Sequence, residues 1–174
     1  MKRTFFSIFT VLLLTACTAH SQDQFEISKD HDGSKIFKGL ISRNALEKET
    51  SFGWYTENKK VPFTPDKKAV AAIKQSKDSI QFIVFMGTWC EDSHFVVPRF
   101  FTLLDAAGYS SDKVTLIGVD RDKKTLDNLA EALHVANAPT IIVMKNGKEL
   151  GRVIEYGKSG LFDRELGQVI NPAL

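Results

Sequence analysis

The stretch that decides the fold runs from Phe82 to Ser93 and reads Phe-Ile-Val-Phe-Met-Gly-Thr-Trp-Cys-Glu-Asp-Ser. Its first half is a near-continuous apolar run, which is typical of a strand buried on both faces of a sheet. The run breaks at Gly87, and the following residues bring Trp89 and Cys90 to the start of a predicted helix. Because Ser93 stands three residues after Cys90, the site offers one thiol where a redox pair would offer two.

Helices and strands alternate on both sides of this stretch. Thr64 as the N-cap and Pro65 at the first helical position predict a helix start. The elements that follow are a strand Ile80 to Met86, a helix Cys90 to Ala107 closed by Gly108, a strand Val114 to Val119, a helix Thr125 to Leu133, strands Ile141 to Met144 and Glu149 to Tyr156, and a helix Ser159 to Ile170. The crossover rule makes the first two strands parallel, and Asn146-Gly147 predicts a hairpin. This order indicates an α/β fold with a mixed sheet and helices on both faces.

The first residues predict a targeting signal rather than a folded element. Lys2 and Arg3 precede an apolar run that is too short to span a bilayer, and Leu14-Thr15-Ala16-Cys17 resembles the lipobox of bacterial lipoproteins. This resemblance implies cleavage after residue 16, lipidation of Cys17 and attachment to the inner or outer membrane, facing the periplasm. The alternative is an ordinary secretory signal in which the cysteine is incidental.

The rest of the chain divides into three parts. Residues 17–35 are interpreted as a lipidated tether, in which the mostly polar stretch from Thr18 to Asp32 predicts disorder. Residues 36–63 are too apolar for a linker but lack a sustained period, so they are interpreted as an N-terminal extension packed on the main domain, 64–174. Without residues 1–16, the 21 remaining basic residues equal the 21 acidic ones, which gives no sign of a nucleic-acid partner.

Cysteine usage limits the chemistry. The chain has two cysteines, and lipidation of Cys17 would leave Cys90 as the remaining thiol, which excludes a disulfide within the domain. A helix start favours a thiolate through its dipole and free N–H groups. Thr88 and Glu91 fit a capping box that would place Cys90 in the first turn, where Ser93 is expected to donate a hydrogen bond to it.

Several features in order resemble the thioredoxin family over roughly Thr64 to Leu174. They are Trp89-Cys90 after a buried strand, Pro98 five residues past Ser93, Val119-Asp120 at the end of the next strand, Ala138-Pro139-Thr140, and Lys145-Asn146-Gly147. The resemblance implies a thioredoxin-like fold and a cis peptide bond before Pro139. It also implies substrate binding at Trp89, Ala138, Pro139 and Thr140, next to a catalytic Cys90.

The chain departs from the family pattern at three positions. Ser93 replaces the resolving cysteine, Val84 stands where many thioredoxins carry a buried acid, and Leu116 stands where its lysine partner would be. These departures make ordinary dithiol cycling an unfavourable interpretation. They favour an enzyme of monothiol type, which forms mixed disulfides with protein substrates and is released by a second substrate thiol or an external reductant.

Two other functions remain open from the residues. A non-catalytic module would use the groove around Trp89 and Pro139 to hold a peptide or a protein partner. A metal site would use Cys90, His94 and Asp92, since residues at i and i+4 share a helix face, although three ligands on one turn make a poor cage. The preferred interpretation requires no cofactor and no metal.

Overall fold

The computed structural model describes residues 24–174, which form a six-stranded sheet flanked by helices. The spatial order of the strands is β1-β2-β4-β3-β5-β6. They are β1 Gln24–Lys29, β2 Lys35–Ile41, β3 Ile80–Met86, β4 Val114–Gly118, β5 Thr140–Lys145 and β6 Lys148–Ile154. Strands β3 and β4 are parallel, and every other neighbouring pair is antiparallel. The mixed sheet expected for a thioredoxin-like α/β fold is confirmed.

Helices cover both faces of this sheet. They are α1 Arg43–Lys48, α2 Gly53–Lys60, α3 Lys67–Ser76, α4 Glu91–Ala107, α5 Leu129–Ala132 and α6 Phe162–Ile170. Side chains alternate along β3, so that Phe82 and Val84 enter the larger core with α3, α4 and α6, whereas Phe85 enters the smaller core with α5. None of the helices within residues 24–174 has the length and apolar character needed to cross a membrane.

The expected tether is ordered from Gln24 onward, which corrects that part of the prediction of disorder for Thr18 to Asp32. Strand β1 lies within it and pairs antiparallel with β2 from Gln24↔Leu40 to Lys29↔Lys35. Most β1 side chains are exposed, and only Phe25 stacks inward, with its ring centroid 4.4 Å from that of Phe37. Backbone pairing therefore stabilises a polar strand that hydropathy does not reveal. The predicted signal 1–16, Cys17 and residues 18–23 lie outside the described part of the chain.

The extension 36–63 packs on the main domain and shares its sheet. Strand β2 runs antiparallel to β4 in the register Gly39↔Gly118 to Ile41↔Leu116. Four of its large side chains enter the larger core, and each is at most 3% exposed: Phe37, Leu46, Phe52 and Tyr55. The missing sequence period has a simple reason, because the segment changes from a strand to two short helices within 26 residues, from Lys35 to Lys60.

Three predicted helix starts are wrong by a few residues. The N-cap of α3 is Asp66 rather than Thr64, and its carboxylate accepts from the N–H groups of Lys68 and Ala69. Helix α6 begins at Phe162 because the Glu165 carboxylate binds the N–H groups of residues 158 and 159 and holds that segment as a turn. The predicted helix 125–133 is a 3₁₀ turn, Leu126–Asn128, followed by the four-residue α5.

Candidate active site around Cys90

Cys90 lies at the junction of β3 and α4, half-buried. It is the N-cap of α4, with φ −101° and ψ 120°, and its backbone carbonyl accepts the His94 N–H. Its Sγ is 3.2 Å from the carbonyl oxygen of Ala138, and the Ala138–Pro139 bond is cis, as expected. The parallel pairing of β3 and β4 and the antiparallel pairing of β3 and β5 bring the loop after β4 and the segment before β5 to the end of β3 that carries the thiol.

The predicted capping box is wrong, because Thr88 bonds to the extension instead of the helix. Its hydroxyl accepts from the Phe37 N–H at 3.1 Å and donates to the Lys35 carbonyl at 2.9 Å. A side chain of the active-site loop thus satisfies two backbone groups at the start of β2. Cys90 takes the N-cap position, where no side chain accepts from the first-turn N–H groups.

Ser93 is fully buried, and its hydroxyl faces the loop backbone. Ser93 Oγ accepts from the Gly87 N–H at 3.1 Å. The predicted hydrogen bond from Ser93 to Cys90 is not formed in the part of the chain that the structure describes. Ser93 therefore positions the loop that carries the thiol, and Cys90 forms no disulfide within residues 24–174.

Beneath the site, the two positions where many thioredoxins carry a buried acid and its lysine partner hold apolar residues. Val84 and Leu116 are register partners in β3 and β4, and both are buried. The interior below Cys90 therefore holds aliphatic side chains at the positions where the family pattern would place a proton acceptor.

Trp89 forms one wall of the site and is fixed by the backbone around it. Its Nε1 donates to the Val119 carbonyl at 2.9 Å. A Cβ added to Gly87 would lie 2.6 Å from the indole, so the glycine permits this close packing. Two cations lie over the ring, with the Arg121 Cζ 5.0 Å and the Lys123 Nζ 5.6 Å from its centroid.

An ion pair ties the β1–β2 turn to this wall. Arg121 Nε and Nη2 donate to the two carboxylate oxygens of Asp30, each at 2.7 Å. The Asp30 side chain is only 3% exposed, and the guanidinium lowers the pKa of Asp30 to about 2. The same pairing raises the pKa of Arg121, and a charge on the nearby Cys90 thiol adds to that effect. A positive charge thus lies on the Trp89 side of the site, close to the Cys90 thiol.

The opposite flank is closed by Tyr156, which follows β6. Its hydroxyl donates to Asp92 Oδ1 at 2.9 Å, and its ring packs against Phe95 with centroids 5.3 Å apart. Burial, together with the bond to Asp92, raises the pKa of Tyr156 to about 12. The neighbouring Glu155 N–H donates to the Pro139 carbonyl at 2.7 Å. Tyr156 therefore joins the cis-proline segment to the first turn of α4.

His94 is turned away from the thiol. Its Nε2 lies 2.8 Å from the Thr88 carbonyl oxygen, which can only accept, so this nitrogen carries the proton. Its ring stacks on Trp54 of α2 with centroids 3.9 Å apart and 14° between the planes. Burial lowers the pKa of His94. The neutral ring is thus favoured, and the extension supplies its packing partner.

The metal hypothesis is not supported by this geometry. Cys90 contacts the Ala138 carbonyl, Asp92 accepts from Tyr156, and His94 bonds to Thr88, so the three side chains point to different partners. Within residues 24–174, no group of three or more His, Cys, Asp or Glu side chains is arranged to hold a metal ion.

The predicted substrate-binding residues lie together beside Cys90, with one difference in detail. Ala138 presents its carbonyl to the thiol, and the Pro139 carbonyl accepts from the Glu155 N–H. The Thr140 hydroxyl turns inward and donates to the Asn137 carbonyl at 2.7 Å. Any contact from Thr140 to a substrate would come from its backbone.

Sequence reasoning missed five residues of this site: Asp30, Trp54, Thr88 in its bonding role, Arg121 and Tyr156. One signal was present for Arg121. It lies three residues after the end of β4, and the carboxyl ends of parallel strands meet at one edge of the sheet, so a position near Trp89 could have been predicted. For Trp54 and Tyr156 the sequence carries no comparable signal, because their approach depends on how distant segments pack.

Comparisons with known proteins point in one direction. A sequence model of the thioredoxin family matches residues 62–164. A thioredoxin of Echinococcus granulosus is 36% identical over 98 residues, which cover 56% of this chain and 82% of that protein. Thioredoxin H2-2 of Oryza sativa subsp. japonica is 32% identical over 100 residues, covering 58% and 69%. Among solved structures, an HIV epitope scaffold superimposes with a TM-score of 0.52 at 14% identity, over 75% of this chain and 90% of that one, which is a likeness of fold alone.

Proposed function

The chain belongs to the thioredoxin family of thiol–disulfide oxidoreductases, and on that premise we propose that it exchanges disulfides through the single thiol of Cys90. One observation carries the proposal. The half-buried Cys90 occupies the N-cap position of α4 beside the cis-proline segment, while the position of a second sulfur holds the buried Ser93. Family membership supports thiol–disulfide chemistry in general, and the monothiol form is our specific addition.

The reaction has two balanced steps. The Cys90 thiolate attacks one sulfur of a substrate disulfide, the substrate S–S bond breaks, and the departing thiolate takes a proton from solvent. A second thiolate, from the substrate or from an external thiol, then attacks the mixed disulfide and releases Cys90. The attacking thiol ends in a new disulfide with the substrate sulfur that Cys90 had held, and Cys90 returns to its free thiol form. This scheme suits isomerisation or removal of small-thiol adducts.

Roles for the surrounding residues follow from their positions. We assign Cys90 as the nucleophile and Ser93 as the residue that holds its loop through Gly87. Trp89 and the backbone of Ala138, Pro139 and Thr140 would bind the substrate segment. A peptide backbone would extend along the segment before β5, where the Ala138 carbonyl already lies 3.2 Å from the thiol.

The trapping experiment uses the full-length chain in detergent, with a peptide disulfide whose leaving thiol absorbs light. We expect a stoichiometric adduct on Cys90 in the absence of reductant, identified by mass spectrometry, and recovery of free Cys90 when an external thiol is added. The Cys90→Ala variant should form none. If no adduct forms while a free cysteine at equal concentration reacts, the thiol chemistry is excluded and the binding module becomes the better function.

Export and anchoring form a separate part of the proposal. The basic start, the apolar run and Leu14-Thr15-Ala16-Cys17 support lipidation of Cys17 and a periplasmic location in a bacterial membrane. Metabolic labelling with a fatty acid should mark the wild-type protein and not the Cys17→Ser variant. Labelling of both proteins, or of neither, would contradict a lipid anchor at this residue.

A further inference from the structure

A cleft of about 370 Å³ opens between the active-site segment, the β1–β2 turn and the extension. The β1–β2 turn contributes Asp32 to it, and α2 contributes Trp54. The active-site segment contributes Trp89 and Glu91, the residues on either side of Cys90 in the chain. A substrate held at Cys90 therefore lies next to this cleft.

The walls of the cleft are fixed by contacts that are already formed. The bidentate pair of Arg121 with Asp30 holds the turn over Trp89. Stacking on His94 holds Trp54 in place. The residues of the extension are thus pre-organised around the cleft, which lowers the entropy cost of binding a ligand there.

The charge of the cleft is negative after all internal pairs are counted. Arg121 neutralises Asp30, and burial keeps His94 in its neutral form. Asp32 and Glu91 are both exposed, and neither joins an ion pair within residues 24–174. Hydrogen bonds from Ser34 lower the pKa of Asp32 and keep it ionised. Arg121 also feels the charge of Asp32, yet the three carboxylates that line the cleft, Asp30, Asp32 and Glu91, outnumber this one lining cation by two.

Aromatic surface accompanies these carboxylates. Trp54 and Trp89 line the same cleft and offer apolar ring surface to it, while His94 stacks on Trp54 and the cations of Arg121 and Lys123 lie over Trp89. A long side chain with an apolar stem and a cationic end matches such a mixed surface, because the stem packs on the rings while the charge meets the carboxylates.

We propose that this cleft binds a lysine or arginine side chain of a disulfide-bearing polypeptide, within a few residues of the cysteine that Cys90 attacks. The inference rests on the proposed disulfide exchange and adds a preference among its substrates. The β1–β2 turn and the extension then contribute to substrate specificity as well as to the fold.

The test compares peptide disulfides that differ only in one residue, Lys, Gln or Glu, placed two positions from the reacting cysteine. The measured quantity is the second-order rate of adduct formation on the full-length protein. We expect the Lys peptide to react about tenfold faster than the Glu peptide, since each partly exposed charge contact contributes a few-fold. High salt should reduce the ratio.

Variants of the cleft test whether its carboxylates cause the preference for the Lys peptide. The double variant Asp32→Asn, Glu91→Gln should bring the Lys and Glu peptides to equal rates, once each is normalised to the Gln peptide. The matched control is Asp78→Asn, an exposed carboxylate just before the opposite end of β3, which should keep the tenfold ratio. Replacing Asp32 and Glu91 with lysine should reverse the preference.

The outcomes separate this inference from the function beneath it. Equal rates for all three peptides in the wild type would overturn the proposed role of the cleft and leave disulfide exchange intact. A ratio of Lys to Glu peptide rates that survives the double variant would do the same. Failure of every peptide to react would overturn both.

Discussion

Thr88 and Phe37 are joined by a buried hydrogen bond of 3.1 Å between the threonine hydroxyl and the backbone N–H. The same hydroxyl donates to the Lys35 carbonyl at 2.9 Å. One side chain of the active-site loop therefore completes the hydrogen bonding at the start of β2. The extension and the thiol loop form one structural unit, and perturbing one is expected to perturb the other.

Thr88→Val should destabilise the protein by about 2 kcal/mol, because it keeps the shape of the side chain but leaves the Phe37 N–H and the Lys35 carbonyl without partners. The measurement is the free energy of unfolding in urea. Thr102→Val is the matched control, since the Thr102 hydroxyl bonds only to the Pro98 carbonyl within α4, and its loss should cost about 0.5 kcal/mol or less. Equal losses for the two variants would refute the bridging role of Thr88.

Gly118→Ala tests the close approach of β4 to the extension. A Cβ at this position would collide with the Phe37 carbonyl of β2, which is backbone and cannot swing aside. We expect a loss of about 3 kcal/mol in the free energy of unfolding. The same change at Gly53, where a Cβ would meet nothing within 4 Å at the start of α2, should be neutral or slightly stabilising. A neutral Gly118→Ala would mean that β2 does not pair here.

Acidification should weaken the fold through His94. Burial lowers the pKa of His94 below its ordinary 6.5, so the unfolded chain binds more protons than the folded one in the interval between the two values. The stabilising contribution is complete above pH 6.5 and is lost as the pH falls through that interval.

The slope of unfolding free energy against pH measures this effect. His94→Phe keeps an aromatic ring against Trp54 and cannot titrate, so its slope should be shallower than that of the wild type. His31→Gln, which alters an exposed histidine, should leave the slope unchanged. A wild-type slope retained in His94→Phe would show that other groups cause it.

The sequence was most informative where the structure of a segment depends on its neighbouring residues alone. The apolar run of β3, the glycine end of α4 and the Asn146-Gly147 turn were predicted, and the structure confirms them, with positive φ at Gly108, Asn146 and Gly147. Each of these signals depends on neighbouring residues alone.

The failures depend on partners that are distant in the chain. Strand β1 reads as a polar tether because its stability comes from pairing with β2. The N-cap of α4 was misassigned because the Thr88 hydroxyl accepts a hydrogen bond from the Phe37 N–H, 51 residues earlier in the chain, instead of capping the helix. The cation beside Trp89 and the acidic cleft arise from loops that meet only in the folded protein.

The Ser93→Cys variant tests whether a second thiol at position 93 can resolve the mixed disulfide on Cys90. Ser93 occupies the third position of α4, one turn from the N-cap Cys90, so a thiol there would lie in the arrangement of a Cys-x-x-Cys pair. The new thiolate would attack the mixed disulfide on Cys90 from within the same turn, forming an internal disulfide and expelling the substrate thiolate.

Without external thiol, the lifetime of the adduct should therefore fall by about a hundredfold or more, since the resolving step becomes intramolecular. The lifetime is measured by mass spectrometry after rapid acid quenching. Ser93→Ala is the control, because it removes the Gly87 contact without supplying a thiol, and its adduct should persist as in the wild type. A persistent adduct in Ser93→Cys would place position 93 out of reach of the bonded sulfur. The absence of a second thiol would then no longer explain why this protein needs an external partner to complete its cycle.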